Sequence, residues 1–425
     1  MRALQAVISR RKRATAWEVL STMDHYDIAI IGAGLAGSLA AIALAREGHR
    51  VALVGPRPAI ADGRTTALMD QSIEYLKKLD LWGEVEPLTA PLVAIRILDG
   101  TSRLFRAPPV NFRASEVGLD AFGYNIPNAP FLEILERHEA GLPTLERATA
   151  AATRFDIDGA EVRIGLGDDR SITADLVVGA DGRRSAVREA AGIGVRTWSY
   201  PQAAIVLNFS HELPHQDVST EFHTEGGPFT QVPLPGNRSS LVWVRKPRDA
   251  EETLTLAPDV LSRTIEDRMQ SILGKVTTEG MPQSFPLSGL SARRFGKGRT
   301  LLVGEAAHAF PPIGAQGLNL SLRDIMTLVD LIGRPTGSRL PADTGDRFDG
   351  RRRADILSRT ASVDLLNRSL LSNFLPVQAL RAAGLHLLSS AGPLRGLLMR
   401  EGIHPGSALQ AFKEGLREQI RRKSA

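Results

Sequence analysis

The chain has 425 residues and a mass of 45.9 kDa, with 43% apolar and 23% charged residues. That is the composition of two or three packed globular units, and it excludes disordered and fibrous classes. Cysteine is absent, which excludes disulfides, thiolate-held zinc or iron–sulfur centres and cysteine nucleophiles, and which suits a reducing compartment. The net charge of +5 is uneven: residues 1–23 carry +4 and residues 345–425 carry +7, leaving −6 for 24–344. An acidic body with no basic stripe argues against nucleic acid as a partner.

Residues 1–22 are basic but lack the apolar stretch of a secretory signal, so they read as a disordered tail or as an extension upstream of a start at Met23. From Asp27 the pattern sharpens. Asp27–Ile31 is a buried-strand sequence, Leu35 to Glu47 is an Ala/Leu-rich helix stopped by Gly48, and Val51–Val54 is a second buried strand. This β-α-β unit has the thirty-residue length that a parallel crossover requires. Further strands are expected at 92–99, 161–165, 174–179, 203–210, 240–245 and 299–303. The Pro-punctuated stretch 200–245 reads as antiparallel sheet, and the chain beyond Gly317 as mainly helical. No window of 18 uninterrupted apolar residues occurs, so no bilayer-spanning helix is expected.

Three segments carry chemistry. Gly32-Ala33-Gly34-Leu35-Ala36-Gly37 lies between the first strand and helix, where its glycines permit a tight turn, close approach of backbone to a diphosphate, and close helix–sheet packing. The acid that normally follows the second strand to hold a ribose is replaced by Gly55. Either another residue takes the ribose hydroxyls or Arg57 reads a 2′-phosphate, so this fingerprint alone leaves FAD and NADP both open. The second segment, Asp175 to Arg188, runs from a buried strand through Asp181-Gly182 into a helix capped at Ser185. In the third, the strand Arg299–Val303 ends in Gly304-Glu305. A Gly/Pro-rich loop, Pro311-Pro312-Ile313-Gly314-Ala315-Gln316, then feeds a helix that begins near Gly317 and offers free N–H groups to an anion.

In this order the three segments resemble the FAD-dependent aromatic hydroxylases, the para-hydroxybenzoate hydroxylase-like class A flavin monooxygenases, over about residues 26–320. Asp62-Gly-Arg64-Thr-Thr-Ala-Leu68, Gly123-Tyr-Asn-Ile126, Gly304-Glu-Ala-Ala-His308 and Leu366 to Pro376 are similar more narrowly to the ubiquinone-biosynthesis hydroxylases. The resemblance implies an α/β fold: a Rossmann-like FAD-binding domain (24–90, 126–198 and 293–345) interleaved with an antiparallel-sheet substrate domain (91–125 and 199–292). A helical C-terminal region, 346–425, follows. It implies FAD held at Gly32, Gly34, Leu35, Ala36 and Gly37 by the diphosphate, at Arg64, at Asp181 and Gly182, and at Gly304 and Glu305 by the ribityl hydroxyls. Pro312, Gly314, Gly317, Leu318 and Asn319 would lie beside the flavin ring. Most members have Asp where this chain has Glu305, and many carry Arg after the Asn aligned with Asn128, where Ala129 stands.

No second glycine fingerprint occurs, so NAD(P)H is expected to dock transiently as a co-substrate rather than in a Rossmann domain of its own. The chemistry that the resemblance implies is reduction of FAD, addition of O2 at the flavin C4a, and delivery of an electrophilic OH to a polyprenylated phenol. No metal site is expected. No acid–base residue stands out: His308, Tyr124 and Tyr200 are candidates, and none is assigned as catalytic. Between Val363 and Met399, leucines alternate with Arg368, Arg381 and Arg395 in short Pro-broken helices. These would either pack on the FAD domain or dock on an anionic membrane surface or a ubiquinone-synthesis complex, placing the protein on the inner face of the membrane. Rival readings are a hydroxylase of a small soluble aromatic acid, a flavin halogenase or prenyl reductase, and a non-catalytic flavin-binding scaffold. The isolated tryptophans, 17, 82, 198 and 243, lack a halogenase's Trp-x-Trp.

Overall fold

The computed structural model describes residues 24–58, 63–100, 109–224, 226–311 and 316–371. The N-terminal extension, Pro312, Gly314 and most of the 363–399 array lie outside them. In chain order the first strands are β1 (Asp24–Ile31), β2 (Val51–Val54), β3 (Thr65–Met69), β4 (Ala90–Pro91), β5 (Ala94–Asp99), β6 (Val110–Arg113) and β7 (Gly123–Pro127). Next come β8 (Leu145–Ala148), β9 (Ala152–Asp156), β10 (Val162–Leu166), β11 (Ser171–Gly179), β12 (Val195–His211) and β13 (Val218–Thr224). The last are β14 (Gly227–Leu234), β15 (Arg238–Arg245), β16 (Val276–Ala292), β17 (Gly296–Lys297), β18 (Thr300–Leu302) and β19 (His308–Ala309). The helices are α1 (Leu35–Arg46), α2 (Asp70–Lys78), α3 (Trp82–Val85), α4 (Asn128–Ala140), α5 (Ala186–Ala190), α6 (Pro247–Leu254), α7 (Pro258–Arg268), α8 (Gln316–Ile332) and α9 (Thr344–Leu371).

Two large sheets organise these elements. The first runs β17-β18-β11-β1-β2-β8, parallel from β18 to β8, with β10 and β9 attached antiparallel to the start of β11. Its central strands are continuous apolar runs, as a sheet covered on both faces demands. Every residue of β2 is buried, as are Ile28 to Ile31 of β1. Helix α1 is buried on all sides from Gly37 through Ala45, because α4 and α8 pack against it as well as the sheet. An Ala/Leu helix with no polar face can exist only in such a slot.

The second sheet runs β19-β16-β12-β15-β14-β13-β5-β6. Residues of odd number in β12 and β15 (Ile205, Leu207, Phe209, Leu241, Trp243) form a core with Phe222, Phe229 and the α7 residues Leu261 and Ile265. Their even-numbered neighbours turn to the opposite face. The stretch 200–245 is antiparallel as expected, but β13 pairs with β5 in parallel, Glu221 opposite Ile97, which no local pattern foretells. A small sheet, β3-β7-β4, bridges the two layers: Thr65 Oγ1 lies 3.1 Å from Ser240 Oγ, and Asn125 Nδ2 donates to Pro233 O at 2.8 Å. No described helix is long and apolar enough to cross a membrane.

Candidate flavin site

The β1–α1 turn is built around glycine. A Cβ on Gly37 would sit 1.8 Å from the carbonyl oxygen of Gly32, so only glycine lets α1 rest on the turn beneath it. Gly34 caps α1 and is the opposite case: a Cβ there would meet nothing within 4 Å. That open space belongs to a cavity of about 300 Å³ walled by Gly34, Leu35 and Ala36 on one side and by Glu305, Gly317 and Leu318 on another. The first turn of α1 has no acidic residue and no side-chain cap, so its N–H groups are left for an anion.

The second and third segments meet on the far rim. Gly304 takes φ of +60°, which lets the chain leave β18 sharply and brings Glu305 to the cavity edge. Glu305 Oε2 lies 3.5 Å from Arg183 Nε, both side chains being well exposed. Asp181 Oδ2 caps α5 through the N–H groups of Ala186 (2.7 Å) and Val187 (3.3 Å), while its Oδ1 is buried without a partner among the described residues. Gly182 lines the cavity. Arg188, buried and unnoticed as a site residue in the sequence, locks this corner: it donates to Ala306 O and to Arg183 O, each at 2.8 Å. Its only local signal is a cation on an otherwise apolar helix face.

Arg64 lines the cavity with Thr66, Asn128 and Ala129, and its guanidinium lies 5.5 Å from the centre of the Phe285 ring. Ala129 leaves a short methyl wall at the position where the family resemblance implies a cation. Arg57, the residue weighed for a 2′-phosphate, is exposed and lies 3.6 Å from Glu136. Gly32, Gly37 and Gly304 shape the backbone without lining the cavity. Asn319 differs from expectation. Its Oδ1 accepts from Met69 N (2.9 Å) and Ser72 Oγ (2.6 Å), and its Nδ2 donates to Ala67 O (2.8 Å). The side chain therefore clamps β3 and α2 to α8, and what it presents at the cavity is a fixed helix start. Of the candidate phenol partners, Tyr124 packs edge-on against Trp82 and is held protonated by burial, and Tyr200 accepts from Trp198 Nε1 at 2.6 Å.

Beyond Arg64 and Phe285 lies the even-numbered face of the second sheet. Register places Gln283, Val206, Val242 and Thr230 in one row across it, and Phe285, Ala204, Val244 and Pro228 in the next. Tyr200, Ala204, Val244 and Leu287 form a compact apolar cluster there, with Val242 and Trp198 against it. Neither row contains a Lys or Arg.

A dinucleotide cradle opposed by an apolar sheet is the arrangement of a flavoprotein monooxygenase. The residues fit FAD: Gly34 leaves room for a diphosphate, the orphan Asp181 oxygen and the exposed Glu305 can accept from sugar hydroxyls, and α8 begins at the far wall. The FAD binding domain family matches residues 25–353. Ubiquinone hydroxylase UbiL of Rhodospirillum rubrum is 35% identical over 391 residues, 89% of each chain. The 3-demethoxyubiquinol 3-hydroxylase of Escherichia coli is 30% identical across 88% of this chain and 97% of its own. Among solved structures, PqsL of Pseudomonas aeruginosa, described as a probable FAD-dependent monooxygenase, superposes with a TM-score of 0.72 at 23% identity, covering 85% of this chain and all of that one. The chain belongs to the FAD binding domain family, and within it to the ubiquinone hydroxylases; it is an FAD-dependent aromatic monooxygenase.

Proposed function

We propose that this enzyme uses FAD, NAD(P)H and O2 to hydroxylate the ring of a polyprenylated phenol in ubiquinone biosynthesis. The observation that carries the substrate class is the even-numbered face of the second sheet. A carboxylated aromatic acid would need a cation to offset its desolvation. The rows from Phe285 to Pro228 and from Gln283 to Thr230 contribute none, and the cation at their edge, Arg64, stands over the Phe285 ring in the cavity wall. An uncharged ring with a hydrocarbon tail loses nothing against Val206, Val242 and Val244, and burying it contributes ~0.8 kcal/mol per CH₂.

When bound, FAD supplies the hydride acceptor for NAD(P)H and the means of activating O2. The chain supplies binding and electrostatics. The N–H groups of Leu35 and Ala36 would hold the diphosphate. Glu305, 3.5 Å from Arg183, would accept from sugar hydroxyls. The first turn of α8, with Gly317 and Leu318 at the cavity and no acid among its residues, favours negative charge on the flavin pyrimidine edge by roughly 0.3–2 kcal/mol. The Val-rich face excludes water from the reacting ring.

The test is stopped-flow reduction by NADH with and without a prenylphenol, followed by mass analysis of the product under ¹⁸O₂. Faster bleaching and a single ¹⁸O atom in the product ring are expected. Bleaching accelerated only by a small aromatic acid would establish the soluble-acid alternative, and no bleaching at all would leave a scaffold. A tail of this kind also requires a lipid surface or hand-off partner, a role we assign to residues 363–425 from their Leu/Arg pattern. Removing them is expected to abolish co-sedimentation with anionic liposomes while FAD stays bound; retained co-sedimentation would refute this assignment.

A further inference from the structure

Behind the flavin-facing turn lies a buried chain of charge that the binding scheme above does not use. His308 lines the cavity yet is only 2% exposed. Its Nε2 lies 2.7 Å from Asp324 Oδ2 on α8, a residue with no exposure at all. The same oxygen accepts from Gly304 N at 3.2 Å, and Asp324 Oδ1 accepts from Arg352 Nε on α9 at 2.8 Å. Arg352, also buried, continues to Asp355 at 2.7 Å, and Arg359 reaches Asp355 at 2.8 Å. Phe310, another cavity residue, stacks on the imidazole with centroids 5.5 Å apart and planes 18° from parallel.

This arrangement decides the tautomer. A carboxylate that takes a guanidinium on one oxygen and a backbone N–H on the other is an acceptor, so the proton in its contact with His308 belongs to Nε2. In its neutral form the ring then carries a lone pair on Nδ1. That atom is buried and has no hydrogen-bond partner among the described residues. A buried acceptor in a cavity wall, held by a three-residue relay, is costly unless something donates to it.

We propose that His308 is a positioning residue for the cofactor, its Nδ1 accepting a hydrogen bond from a hydroxyl of the FAD ribityl chain, with Asp324 and Arg352 fixing the ring and its tautomer. The proposal rests on the FAD reading and adds a contact opposite Glu305, three residues earlier on the same turn. It also explains why a histidine follows the strand-final Gly-Glu: the imidazole ties the turn to α8 with one nitrogen and serves the ligand with the other.

Apoprotein is titrated with FAD and followed by quenching of flavin fluorescence. Tight binding by the wild type tests the FAD reading itself, and its absence would remove that reading rather than this one. In His308→Gln the amide can still donate to Asp324, but no acceptor remains at the Nδ1 position. We expect FAD affinity to fall about five- to tenfold while the apoprotein melts within about 2 °C of wild type. His308→Asn restores an acceptor near Nδ1 and gives up the Asp324 contact. It is expected to keep the greater part of the affinity and to lose thermal stability.

The direct readout is the ¹⁵N spectrum of the wild-type histidines, with His308 assigned by its loss in His308→Gln. An unprotonated Nδ1 whose resonance moves into the hydrogen-bonded range on FAD addition supports the proposal. A doubly protonated ring, an Nδ1 resonance that FAD leaves unmoved, or wild-type affinity in His308→Gln overturns it.

Discussion

The two large sheets build their shares of the site by opposite means. The parallel sheet presents backbone: bare Gly34, the N–H groups that begin α1 and α8, and the sharp exit at Gly304. The second sheet presents side chains, whose alternation sends one set into a core with α7 and the other set to the opposite face, where Phe285 meets Arg64 of the cavity wall. A backbone site tolerates almost no change of residue, because the geometry itself is the ligand. A side-chain wall can be rewritten position by position while the fold stands. On the binding scheme proposed above, the first sheet would fix the cofactor and the second would leave substrate choice open to variation.

The sharpest way to break that contrast is Gly37→Val. With a Cβ placed 1.8 Å from Gly32 O, α1 must leave the sheet, and we expect a loss of more than about 4 kcal/mol, seen as insoluble protein or a collapsed melt. Phe209→Ala, at a fully buried position of the second core, is expected to cost about 3–5 kcal/mol in urea unfolding. FAD affinity of the folded fraction should stay unchanged.

Gly34→Glu separates binding from folding. Its side chain enters open space, so the apoprotein should melt normally, but the added carboxylate faces the diphosphate and FAD affinity should fall by about 100-fold or more. Val242→Arg tests the wall. It leaves FAD binding intact and raises KM for a prenylphenol about tenfold by setting a cation against a hydrocarbon.

The smallest expected effect concerns His211, whose Nδ1 donates to Leu213 O (2.8 Å), whose Nε2 lies 3.0 Å from Ser239 Oγ, and whose pKa burial lowers from the ordinary 6.5. A histidine favoured in its neutral form contributes stability above its unfolded pKa and loses it as pH falls toward the folded value. Urea midpoints should therefore decline from pH 7 to pH 5 in wild type and decline less in His211→Gln.

What could be read from the sequence follows the same division. Strand–glycine–helix order is legible in the sequence because Gly32 and Gly37 answer local steric demands, and Gly304-Glu305 announces itself as the end of a buried strand. Side chains that act across the fold leave no such trace. Arg188 finds Ala306 O, Arg183 finds Glu305, and Asn319 finds β3, all through tertiary closure. The family resemblance places Asn319 beside the flavin; its side-chain amide, with several hydrogen-bonding groups, satisfies the strand backbone next to it. The relay His308–Asp324–Arg352 joins residues 16 and 28 positions apart, with no periodicity to suggest it. The parallel pairing of β13 with β5 brings together segments more than a hundred residues apart, which local propensity cannot encode.

The interleaving of the two layers has a consequence for biosynthesis of the polypeptide. β1 opens the parallel sheet, yet β18, Glu305 and the start of α8 complete it only after all of the second sheet except its short edge strand β19 has been translated. A nascent chain emerging from the ribosome cannot complete the cavity wall until residue 320 or so is free, and until then the apolar strand β11 lacks its outer neighbour β18. Flavin supply therefore acts at the close of synthesis, and a shortage of riboflavin should show as aggregated full-length product, with no accumulation of shorter stalled species.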